Sequence, residues 1–139
     1  MYILTNELIE KFQSRDPIEI AKGLGIRLLY EELGMINGYY NEIGDLKFIH
    51  INNRLSEEQE IFTAAHELGH SILHERTNVL FLHAFTHERT GRMEYEANLF
   101  ATFLLISDEV VEEYKHLSVP RLMTMYNLNE QLIIDRFFN

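Results

Sequence analysis

The chain contains no cysteine. That absence excludes a cysteine nucleophile, a disulfide framework and a Cys-ligated zinc finger, and it fits a reducing compartment. Long apolar runs are missing as well: the densest cluster, Phe103 to Ile106, is far too short to cross a bilayer. The opening residues, MYILTNELIEKF, lack a basic stretch followed by a long apolar one, so they do not read as a signal peptide. Positive charge is scarce, with 12 Lys and Arg against 22 Asp and Glu and a formal net charge of −10. Such a surface repels nucleic-acid phosphates, so no direct nucleic-acid binding is expected; a basic protein partner suits it better. No repeat, low-complexity tract or Gly/Ser-rich linker divides the chain. With 139 residues, 46% of them hydrophobic, it is expected to form one soluble cytoplasmic domain over 1–139, with a core that needs no covalent staple.

What is present is a set of helix and turn signals. Thr5 to Gln13 reads as a short helix. A second starts at Asp16-Pro17, with Asp16 as N-cap, Pro17 at the first helical position and Glu19 closing a capping box. Gly23 and Gly25 end it. Strand-like pieces follow at Ile26 to Glu31, Asn37 to Asn41 and Leu46 to Ile51, separated by turn residues, which predicts an antiparallel meander. Ser56, with Gln59 three residues on, caps a long helix whose apolar stripe runs through Ile61, Ala65, Leu68 and Ile72. Thr77 to Gly91 reads as a partly structured loop, either a mobile lid over a cleft or a disordered connection. Helices are then predicted at Met93 to Ile106, Asp108 to about His116, Val119 to Tyr126 and Glu130 to Phe137. The fold class is therefore α+β, a small antiparallel sheet packed on the long helix with further helices C-terminal.

The chemistry lies in FTAAHELGHSILH at 62–74. His66 and His70 are four apart, so they sit one helical turn above each other and can aim both imidazoles at one point. That point lies about two ångströms from each nitrogen, as zinc requires. Glu67, rotated by about 100° from His66, can reach an attacking water without becoming a ligand. Zinc acidifies such a water, and a carboxylate beside it can take the proton. The competing reading makes both histidines core residues, but Gly69 between them argues for close approach of another element. A catalytic zinc needs a third ligand. A third histidine six residues on is absent, because positions 73 and 76 are Leu73 and Arg76. On the later helix, EYEANLFA places Glu94 and Asn98 on one face, with small Ala97 and Ala101 beside them. Glu94 can reach the metal, and Asn98 can accept the outer N–H of a ligating histidine. Glu96 points elsewhere, towards solvent.

These paired motifs, FTAAHELGHSILH and EYEANLFATFLL at 94–105, preceded by FIHINNRLSEEQEIF, resemble the ImmA/IrrE metallopeptidases. These are zincins with glutamate as third ligand. The resemblance runs from about Gly38 to Ile106, and LLIS at 104–107 departs from the family's usual Leu-Leu-Met-Pro ending. Carried over, it implies that His66, His70 and Glu94 ligate zinc and that Glu67 is the general base. It implies an antiparallel sheet over the motif helix. It further implies a site-specific regulatory cut in a protein substrate, a basic helix-turn-helix repressor of a prophage or mobile element.

Other residues carry weaker signals. His74 continues the histidine stripe and reads as a capping or core residue, or as part of the cleft. An oxyanion donor is wanted at the scissile carbonyl, and Tyr39, Tyr40, His83 and His87 are the candidates. Tyr39 and Tyr40 alternate faces, so one packs and the other is exposed. The C-terminal LMTMYNLNEQLIIDRF has a helix-turn-helix rhythm but no basic recognition helix. Core packing of Leu122, Met125, Leu132, Ile133 and Phe137 is the expected role. A rival function is a non-proteolytic antirepressor that binds its partner and keeps only a structural metal.

Overall fold

A computed structural model describes the backbone at 1–74 and 87–139 and the side chains at 1–74 and 91–139. Helices α1 (Tyr2–Phe12) and α2 (Pro17–Gly23) precede strands β1 (Arg27–Glu31), β2 (Gly38–Ile43) and β3 (Leu46–Asn52). Then come α3 (Glu57–Leu73), α4 (His87–Leu105), α5 (Asp108–Tyr114), α6 (Val119–Tyr126) and α7 (Glu130–Phe137). The α+β order expected from the sequence is present. The predicted loop at Thr77 to Gly91 falls outside the described residues up to position 86; from His87 the backbone is already helical, so α4 begins six residues before Met93.

Local signals account for the helix ends. At α3 both halves of the capping box form: Gln59 N–H donates to Ser56 Oγ (3.2 Å) and Ser56 N–H to Gln59 Oε1 (3.0 Å). At α2, Asp16 Oδ1 accepts from Ile18 N–H (2.9 Å), but the expected return bond from Glu19 is supplanted. Ser14 Oγ takes the Asp16 N–H instead (2.9 Å), because it already lies two residues upstream in the turn. Asn127 ends α6 in the left-handed region (φ 53°), and Asn129 caps α7 by accepting from Leu132 N–H (3.0 Å).

The sheet corrects one expectation. Strand order is β1-β3-β2: β2 and β3 form the antiparallel hairpin around Gly44-Asp45, whereas β1 pairs in parallel with β3. The sheet is therefore mixed rather than a meander. The strand carrying the fully buried Ile49 and Ile51 takes the centre, where it is hydrogen-bonded along both edges. Turn residues at 32–37 mark a break but cannot say which edge the chain then joins. Here they carry it across the sheet end. Buried Asn52 holds that crossing, donating through Nδ2 to Gly34 O (3.1 Å) and Ile36 O (3.0 Å).

The main core joins Ile20 and Ala21 of α2, Tyr40, Ile49 and Ile51 of the sheet, Ala64, Ala65 and Leu68 of α3, and Phe100, Ala101 and Leu104 of α4. A second cluster, with Ile106, Val111, Leu122, Ile133 and Phe137, gathers α5 to α7. Arg136 ties it to the end of α4: its guanidinium donates to Ile106 O (2.7 and 3.0 Å) and to Asp108 Oδ1 (2.9 Å) and lies over the Phe103 ring. Leu122, Leu132, Ile133 and Phe137 are buried as predicted, but Met125 is 48% exposed. It stands on the far face of α6, a short helix with only one side against α7.

Gly38 is the tightest junction between sheet and motif helix. A Cβ there would sit 2.5 Å from His50 O and 2.7 Å from Thr63 Cγ2. We expect Gly38→Ala to push β2 off α3 and destabilise the protein by about 1–3 kcal/mol. Urea unfolding read by far-UV circular dichroism measures this; an unchanged midpoint would show that the junction yields freely.

Candidate metal centre

Helix α3 presents its histidines in a column, and α4 lies close against it because Gly69 leaves room. A Cβ on Gly69 would stand 3.1 Å from Phe100 Cβ and Cδ1, so the glycine admits the Phe100 side chain. This contact brings Glu94, six residues before Phe100 on α4, over the α3 column. His66 Nε2 is 2.9 Å from Glu94 Oε2, His70 Nε2 is 2.8 Å from Glu94 Oε1, and the two Nε2 atoms are 3.1 Å apart. Two ligands each about 2.0 Å from a tetrahedral ion stand about 3.3 Å from one another. The three groups thus converge nearly as closely as coordination demands. On the outer side of the column, His66 Nδ1 lies 2.7 Å from Asn98 Oδ1. That acceptor keeps the ring proton on Nδ1 and turns Nε2 towards Glu94.

Glu67 sits beside this convergence, its Oε1 3.9 Å from His66 Nε2. The residue is only 5% exposed, and its Oε2 is buried without a hydrogen-bond partner. A buried carboxylate oxygen without a partner, beside two imidazole nitrogens that converge on Glu94, fits a site that takes an ion and a water. The residues present fit a divalent metal. Two histidines and one carboxylate suit zinc and leave a fourth position open.

The electrostatics agree. Burial, partly opposed by His66 and reinforced by Glu94, pushes the Glu67 carboxyl up to about 7. For Glu94 burial also pushes upward, but hydrogen bonds from His66 and His70 outweigh it and hold the carboxyl well below its usual range. Burial lowers His66, yet its bond to Glu94 and the charges of Glu67 and Glu94 leave it net raised, so a proton there stands where an ion would bind. His70 is lowered, chiefly by burial.

A cavity of about 500 Å³ opens onto these groups. Met35, Ile36 and Asn37 of the crossing segment, Gly38 and Tyr39 of β2, Phe62 and Thr63 of α3, and then His66, Glu67, Glu94 and Asn98 line it. Tyr39 is half-buried and stacks on His50 (ring centroids 4.1 Å apart, planes 7° apart). His50 is in turn held between Glu31 and Asn41, whose Oδ1 is 2.8 Å from Nε2. Tyr40, on the opposite face of β2, is fully buried, its hydroxyl donating to Glu42 (2.9 Å). His74 is buried behind His70, away from the cavity lining. His83 lies outside the described residues, and His87 starts α4 with its side chain outside them. The rim at 35–36 carries no chemical motif; in sequence the strand-turn signal at Asn37-Gly38 points near it, and Phe62 and Thr63 open the FTAAHELGHSILH stretch.

A helix bearing two histidines around a buried glutamate, met by a carboxylate from a neighbouring helix over a small sheet, is the arrangement of the metallopeptidase class. Residues 21–137 match the M78 peptidase family, described as the IrrE N-terminal-like domain, and the chain belongs to that family. It is 37% identical over 110 residues to immunity region protein 2 of Bacillus phage phi105, covering 78% of this chain and 70% of that protein. It is 29% identical over 138 residues to Metallopeptidase ImmA of Bacillus subtilis strain 168, covering 88% and 80% respectively. Among the described residues no helix is long and apolar enough to cross a membrane.

The Glu67 carboxyl, raised in the fold, favours folding at low pH and loses that contribution as pH rises from 4.5 through about 7. Metal-free Glu67→Gln is therefore expected to match the parent near pH 4 and to exceed it above about pH 7. The gain is on the order of 3 kcal/mol, at about 1.4 kcal/mol per pKa unit. Denaturant unfolding with a chelator across this range reads the difference; a gap independent of pH would remove Glu67 as its source.

Proposed function

We propose that this chain is a zinc-dependent endopeptidase that makes a site-specific regulatory cut in a protein substrate. The observation that carries this reading is the meeting of His66, His70 and Glu94 at 2.8–3.1 Å beside the unpartnered Glu67 carboxylate. His66, His70 and Glu94 would hold the metal, and Asn98 keeps His66 in the tautomer that leaves Nε2 free. A bound zinc would supply Lewis-acid polarisation of the scissile carbonyl and lower the pKa of the attacking water. Glu67, buried beside that position, would take the proton from the water and deliver it to the departing amine. Tyr39 is the candidate whose described position lines the cavity, and we assign it to the oxyanion. Burial and then Glu31 push its phenol up, so it stays protonated to donate.

The substrate we propose is a basic helix-turn-helix repressor of a prophage or mobile element, acted on in the cytoplasm. The immunity-region relative and Metallopeptidase ImmA support such a setting, and the −10 charge suits a basic partner. The match over 21–137 supports reading 1–139 as one peptidase unit.

Purified protein is expected to carry about one zinc and to cleave the repressor encoded beside its gene. Glu67→Gln should keep the metal and lose about 10²–10⁴-fold in rate. Mass spectrometry of the products and metal analysis decide it: equal repressor inhibition by parent and variant, without cleavage, would establish an antirepressor that acts by contact. Tyr39→Phe should bind substrate with little change in KM and lose about 10²–10³-fold in kcat if the phenol serves the oxyanion. Steady-state kinetics on a peptide spanning the cut shows whether the loss falls on kcat or on KM, and a KM effect alone would reassign Tyr39 to substrate packing.

A further inference from the structure

The third histidine of the column has no place in the chemistry above, yet it is built into the site. His74, the C-cap residue of α3, is 8% exposed, and its Nδ1 lies 2.9 Å from His70 Nδ1. Two imidazole nitrogens at that distance share one proton. His70 turns Nε2 towards Glu94 and His66, so leaving that atom free for a metal puts the His70 proton on Nδ1. His74 Nδ1 must then accept it, and the His74 proton resides on Nε2. That atom is buried, has no hydrogen-bond partner, and faces Glu96 Oε2 at 3.6 Å. Glu96 is on α4, two residues beyond Glu94, and Arg92 holds its other oxygen at 3.3 Å. One stretch of α4 therefore addresses both ends of the histidine column: Glu94 meets the Nε2 atoms of His66 and His70, and Glu96 stands behind His74.

We propose that His74 and Glu96 form a positioning relay behind the metal centre, in which His74 accepts the His70 Nδ1 proton and fixes that ring's tautomer and plane. The proposal rests on the reading of His66, His70 and Glu94 as metal-holding residues. Ligating histidines commonly give their outer N–H to a carboxylate, a carbonyl or water. Here a second histidine takes that place, with a carboxylate 3.6 Å behind it. Neither residue touches the cavity lining, so their effect reaches the metal through His70. Such outer partners contribute roughly ten- to a hundredfold in metal affinity.

The test uses the full chain, stripped of metal and titrated with zinc against a chromophoric chelator. His74→Asn places Oδ1 where Nδ1 stood, preserving the acceptor; His74→Leu preserves bulk and removes it. Zinc binding by His74→Leu is expected to fall roughly ten- to a hundredfold, while His74→Asn keeps most of the parent's affinity. Metal-free melting and far-UV circular dichroism report on the fold of each variant. Glu96→Ala, at a half-exposed side chain, should weaken zinc binding by a smaller factor, and it decides the matter if His74→Leu does not fold. The relay is overturned by His74→Leu binding zinc as the parent does, by His74→Asn falling as far as His74→Leu, or by Glu96→Ala leaving affinity unchanged. A parent that binds no zinc overturns the reading of the site as well, whereas a zinc-binding parent with unaffected variants overturns the relay alone.

Discussion

The approach of α4 to α3 at Gly69 is the constraint from which the site follows. Two imidazoles on one helix can point at a common centre by helical periodicity alone, but they cannot complete a donor set. The third group has to come from another element held within hydrogen-bonding distance. Phe100 filling the space above Gly69 sets that separation, and Glu94, nearly two turns earlier on α4, arrives over His66 and His70. The same packing carries Asn98 to His66 and Glu96 to the vicinity of His74. A single helix pair thus organises the metal-facing groups and the residues behind them.

That geometry sets a buried and a half-exposed carboxyl beside the same pair of imidazoles. Glu94 and Glu67 lie beside the same imidazoles, yet their environments drive them apart. Glu94, hydrogen-bonded by both histidines, is held ionised, and Glu67, buried without a partner at Oε2, is pushed towards neutrality. Separated carboxyl values in one site suit the roles proposed for them, one group holding position and the other moving a proton. The cost of burying Glu67 is only partly offset by His66, 3.9 Å from its Oε1, while Oε2 has no partner.

The sheet contributes the other wall. Its central strand is anchored in the core by Ile49 and Ile51, and Asn52 at its end ties down the crossing segment that forms the cavity rim. Gly38 lets β2 lie directly on α3 near Glu67, and Tyr39 next to it is steadied by the ring of His50. The mixed strand order matters to this wall. With β1 on the far edge of β3, β2 is left as the strand that flanks the metal-facing helix.

Short-range physics made much of this legible in advance. The Ser56 capping box, the histidine pair four apart, the buried stripe of α3 and the Glu94–Asn98 face of α4 each depend on spacings within a few residues, which the sequence states outright. That one of Tyr39 and Tyr40 would pack and the other be exposed followed from strand alternation in the same way; the structure made Tyr40 the buried one. Pairing of β1 with β3, the exposure of Met125 and the use of Ser14 in place of Glu19 were not legible, because each was decided by which distant or competing group arrived first in space. His74 and Glu96 show the difference most plainly: alone, one is a helix-end histidine and the other a solvent-facing glutamate. The amino-acid sequence by itself determined which side chains could hold a metal and move a proton, since helical periodicity places them on common faces. Only the tertiary structure decided that α4 would lie close enough to α3 for those faces to meet, because that distance is set by side-chain packing between segments remote in the chain.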